Sequence, residues 1–187
     1  MSTPSFKDHF RVFATITVAA VVLASAYGML HNQLSYTISR EFFTCFKFVQ
    51  FGLVDSPLPE RVRASIVGFG ASWWVGLIAG VLIALASGIE PDPRARRRSG
   101  MIALATMLGC TIVVALGGIA MGMWRPPDAA AIASMRHGGA IPTCVTDPVA
   151  FVRAGWMHNA SYLGGAIGLA LAVLVIVIGW VLRATRA

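Results

Sequence analysis

Four apolar runs separated by polar intervals set the pattern of this chain. The runs are Val12–Leu30, Ala64–Ser87, Met101–Met123 and Ala160–Leu182, and none has an acidic or basic residue in its interior. Each is long enough to cross the hydrocarbon core of a bilayer as a helix, which takes about 20 residues. The pattern predicts an all-α integral membrane protein: a four-transmembrane-helix bundle occupying residues 1–187 as a single membrane domain. Residues 31–63 and 124–159 form outer loops, and 88–100 form the inner loop.

The intervals are unequal. The inner loop is short, whereas the outer loops are about 30 residues each, and structureless connections of that length are uncommon. In the first, Ser39 is suited to cap a short amphipathic helix reaching to about Gly52, with Glu41 in its first turn. Phe42, Phe43, Phe46 and Phe48 on that segment suit a helix lying in the membrane interface. In the second, Pro126-Pro127-Asp128 and Gly138-Gly139 bracket a short helical piece. Asp147-Pro148 makes a cap and first-turn pair, from which the fourth spanning helix can start and run through His158.

Composition agrees with the pattern. Apolar residues make up 57% of the chain and charged ones 12%, against roughly a quarter charged in soluble domains. A soluble fold would be left with large adhesive patches, so the lipid bilayer is the principal partner. A net charge of +7 and an isoelectric point near 10.2 raise the question of nucleic acid. The basic residues stand at the ends of apolar runs rather than in one patch, which excludes that partner.

Their placement instead fits the positive-inside bias of membrane loops. Arg94, Arg96, Arg97 and Arg98 put the inner loop in the cytoplasm, and Lys7, Arg11, Arg183 and Arg186 put both termini there. The opposite loops carry Arg61, Arg63 and Arg153 mixed with Glu41, Asp55, Glu60, Asp128 and Asp147. The expected location is a bacterial inner (plasma) membrane with cytoplasmic N- and C-termini. The first run has a second reading. Ala24-Ser25-Ala26 is a small-residue site at which residues 1–26 would be cleaved as a signal peptide. The run continues through Leu30, which favours an uncleaved span.

Small residues recur at close-packing spacing within the runs: Gly76 and Gly80, Gly118 and Gly122, Gly164 and Gly168. Such pairs let helix backbones approach, either inside the bundle or in a homo-oligomer. Uncharged span interiors disfavour ion-coupled transport. The chain has no HExxH, GxSxG, phosphate-loop or zinc-ribbon spacing, so the common enzyme signatures are missing.

Two sets of residues remain. Cys45 and Cys144 fall in the two outer loops and form a disulfide candidate that would contribute about 3–4 kcal/mol. Cys110 lies inside the third run, and the lack of any CxxC pair argues against a thiol oxidase. His31 ends the first run and His158 opens the fourth, so both belong near the outer membrane boundary. With Glu41 they make a candidate ligand set for a transition metal or haem, supported by hydrogen bonds from Asn32 or Asn159. Tyr36 and Tyr162 complete the polar cluster. The plainer reading is a latch in which these groups bond one another and the loose backbone at helix ends. The expected function is therefore a non-enzymatic scaffold or accessory subunit with a membrane-protein partner or a second copy. A metal- or haem-binding protein is the alternative, and an oligomeric channel or facilitator the third reading.

Overall fold

A computed structural model of the protein describes residues 5–185. Arg186, one of the basic residues assigned above to the cytoplasmic side, lies outside the described residues. The elements are α1 (Phe6–Ile38), α2 (Arg40–Phe42), a π-helical turn (Phe43–Lys47), α3 (Phe48–Gln50) and α4 (Glu60–Ala86) with a 3₁₀ turn (Ser87–Ile89). After these come α5 (Pro93–Trp124), α6 (Ala129–His137) and α7 (Pro148–Ala184). The structure is 84% helical, without strands among the described residues. Four of the helices are long and apolar enough to cross a membrane, which makes this an all-α multi-pass membrane protein.

The spanning helices extend past the apolar runs because their caps stand further out. Ser5 and Asp8 close a reciprocal capping box at the start of α1. Asp92, Asp128 and Asp147 each accept a backbone N–H at 2.7–2.9 Å to open α5, α6 and α7. A side-chain acceptor there satisfies donors that a helix start otherwise leaves loose. Ser39 is extended, with φ −146°, so it ends α1, and its Oγ accepts from Phe42 N to cap α2.

α1 packs antiparallel on α4, and α5 antiparallel on α7, along most of their lengths; contacts between the two hairpins are far sparser. All six glycines singled out in the sequence lie on seams inside a hairpin. A Cβ at Gly76 would stand 2.7 Å from Ala20 O, and one at Gly80 would stand 2.8 Å from Ala20 Cβ. Gly118 and Gly122 face Trp156, and Gly164 and Gly168 face Thr111 and Met107. The tightest crossing is Gly28 against Gly68, where a side chain on either residue would strike the other's backbone.

Each end of the bundle has its own core. At the arginine-rich end, Val12 and Ile16 of α1 meet Ile83, Ala103 and Ile176. Glu90, 4% exposed, is paired there with Arg183. At the other end a cap covers the helices, built on Phe42, Phe43, Phe48, Ile141, Val145, Phe151 and Val152.

The cap corrects one expectation. Phe42, Phe43 and Phe48 are 4%, 0% and 1% exposed, so they are core residues, and of the four phenylalanines Phe46 alone stays exposed. The cause is the π turn, in which Phe48 N–H donates to Phe43 O five residues back. A regular helix would set those two rings about 140° apart; the wider turn brings both to the inner face.

Candidate functional site

The polar cluster forms where α1, α2 and α7 meet beneath the cap. His31 and His158 are 8% and 6% exposed, and their rings stand edge to face with centroids 4.6 Å apart. His158 Nε2 lies 3.1 Å from Ser35 Oγ, and the Phe42 ring stacks on the imidazole at 4.8 Å. His31 Nδ1 lies 3.2 Å from the Tyr27 hydroxyl, which lies 2.8 Å from Ser161 Oγ. α1 and α7 are thus joined twice by polar contacts, at Ser35 and at Tyr27. His31 Nε2 is buried and has no hydrogen-bond partner.

Glu41 is not with the histidines. Its carboxylate accepts from Thr146 N at 3.0 Å, Asp147 N at 2.9 Å and Thr146 Oγ1 at 2.5 Å, which ties the first long loop to the start of α7. The Thr146 hydroxyl, then the Asp147 N–H, hold its pKa below the usual glutamate value. The location has a simple reason. Three donors at a helix start outcompete two imidazoles for a carboxylate. Among the described residues no three of His, Cys, Asp and Glu converge in the manner of a metal site.

The other cluster residues disperse. Asn32, 3% exposed, donates to Ala64 O at 3.0 Å and so clasps α4 rather than a histidine. Tyr36 donates to Glu60, which Arg40 grips with two nitrogens at 2.6 and 2.5 Å. Tyr162 is 61% exposed with its ring 6.5 Å from His158, and Asn159 is exposed. Cys45 and Cys144 sit at disulfide-bonding distance with Cα atoms 6.1 Å apart, inside the span such bridges require.

No protein-family model, curated protein or solved structure matches this chain. The geometry alone therefore assigns roles.

Two residues of the cluster escaped the sequence reading, Tyr27 and Lys47. Tyr27 carries a usable signal. It stands four residues before His31, as Ser35 stands four after it and Ser161 three after His158, which is the spacing of one helix face. Lys47 is brought in by the π turn, and its ammonium lies 4.6 Å from the Phe46 ring centroid and 5.8 Å from that of Phe42. Burial pushes its pKa below the usual lysine value.

Proposed function

We propose that this protein is a non-enzymatic scaffold or accessory subunit of a bacterial inner membrane, whose partner is another membrane protein or a second copy of the chain. His31 and His158 serve it as an interhelical latch. The observation that carries this reading is the double link between α1 and α7, Ser35 to His158 and Tyr27 to Ser161. Those four side chains bond one another across the two helices, which rigidifies the end of the bundle beneath the cap.

Two independent features support cytoplasmic termini. Arg94–Arg98, in the first turns of α5, stand at one end of the bundle and the Cys45–Cys144 pair at the other. Arginine-rich short loops stay in the cytoplasm, and disulfides persist on the oxidising side.

The test is purification in detergent followed by metal analysis and a visible spectrum, on wild type, His31→Ala and His158→Ala. The expected wild type holds no stoichiometric metal and no chromophore, and His158→Ala lowers thermal stability by ~2–3 kcal/mol through the lost contact and the cavity left behind. A bound metal or haem absent from both variants would overturn this in favour of the metal-binding reading. That alternative requires Glu41 to leave Thr146 and Asp147, or a ligand set without it.

A further inference from the structure

The weakly joined seam between the two hairpins encloses a cleft of about 410 Å³. Residues of all four spanning helices line it, and they are almost entirely apolar, among them Leu23, Leu104, Leu108 and Leu169. Trp74 and Ile78 on its wall are about half exposed, so the cleft opens sideways toward the region that lipid chains occupy. Its size falls within the range of small-molecule sites, roughly 300–1,000 Å³.

One end of the cleft is different. A second, smaller cavity of about 50 Å³ adjoins it, the two sharing Tyr27, Ala71, Ser72, Ser161 and Tyr162. Its wall adds His31, Asn32, Lys47 and His158. Three properties of this chamber restrict an occupant. Its volume corresponds to about three or four water-sized spheres, too little for a sugar or a phosphoglycerol group. Among the described residues its one cationic lining group is Lys47, and no acidic side chain lines either cavity. Lys47 Nζ gives one hydrogen bond, to Gln50 Oε1 at 3.0 Å, and an ammonium has three to give.

We infer that the cleft binds a long-chain fatty acid, with its single alkyl chain between the hairpins and its carboxylate in the small chamber beside Lys47 and His31. The apolar volume takes the chain. The chamber admits a head no larger than a carboxylate, and Lys47 selects an anion over a hydroxyl or an ester. His31, whose Nε2 has no partner in the protein, supplies a further donor in the tautomer in which its Nδ1 accepts from Tyr27. Binding is non-covalent and involves no bond-making step. The site adds a ligand to the proposed scaffold and does not depend on its partner.

The experiment is photolabelling of the purified full-length protein with a diazirine-bearing palmitate, followed by peptide mapping. Labelling is expected to saturate, to map to α1, α4, α5 and α7 around the cleft, and to be displaced by palmitate but not by methyl palmitate. Lys47→Gln should weaken palmitate binding by about tenfold or more, the loss of one charged hydrogen bond. Lys47→Arg should retain binding, which separates the charge from the packing of Lys47 on Phe42 and Phe46. Ala166→Phe, which fills the cleft from its wall, should abolish labelling at unchanged thermal stability. Unsaturable labelling, or equal competition by methyl palmitate and no response to Lys47→Gln, would mean an adventitious lipid only and would overturn the proposal.

Discussion

The seams inside each hairpin and the seam between the hairpins hold helices together by different means. Inside, glycine removes side chains so that backbones touch, and Gly28 on Gly68 is the extreme case. Between, the helices stand apart around a cleft and are joined at its two ends, by side-chain hydrogen bonds, a cysteine pair and an aromatic cap at one, and by the Glu90–Arg183 pair and the core around Ile16, Ala103 and Ile176 at the other. In lipid no hydrophobic force draws one apolar helix to another, so close backbone approach and polar links are what remain. The first makes a permanent seam. The second makes one that can enclose something else.

Substitutions separate the two. Gly68→Leu drives a side chain into the backbone of α1, and we expect a loss of about 3 kcal/mol or more, with little folded protein recovered by size-exclusion chromatography. Gly109→Leu is its control: no atom of another helix lies within 4 Å of a Cβ there, so the same change should leave folding intact. If the two behave alike, the seam inside the hairpin is not the permanent one.

Breaking the seam between the hairpins comes next. Cys45→Ser should lower stability by about 2–4 kcal/mol, and reductant should reproduce the loss in wild type but leave the variant unchanged. Thermal unfolding with and without reductant checks this.

The smallest effect is the pH response of Glu41. Its pKa is depressed in the folded protein from 4.5. Its hydrogen bonds to Thr146 and Asp147 are therefore at full strength above that value and are lost as the pH falls through the depressed one. Amide exchange at Thr146 and Asp147 should gain protection as the pH rises through that interval in wild type, and should show no such step in Glu41→Gln. The group is only partly buried, at the surface of the cap, so the contribution to global stability is small.

The spans were legible because an apolar run of bilayer length has hardly any use outside a membrane, and the start of α7 because Asp147-Pro148 is a local signal. The cysteine pair was legible from position alone. Helix pairing was not: α4 and α5 are apolar on every face, so helical periodicity says little about which side meets which neighbour. The inward phenylalanines were hidden by the π turn, which no residue pattern announces. Glu41 was misplaced for a different reason. It is near His31 in sequence, but its best donors lie at Thr146 and Asp147, more than a hundred residues away in the chain.

The cysteine pair also changes what kind of object the chain is. A link between Cys45 and Cys144, 99 residues apart, closes α4, α5 and the turn between them into a ring, with α1 and α7 as two tails leaving it. A protease cutting among Arg94, Arg96, Arg97 and Arg98 would open the ring without releasing either half, and the nicked protein would run as one species until reduced. Severing the start of α5 there and breaking the sulfur link are thus each harmless to the covalent unity of the molecule, and only the two together divide it into its hairpins.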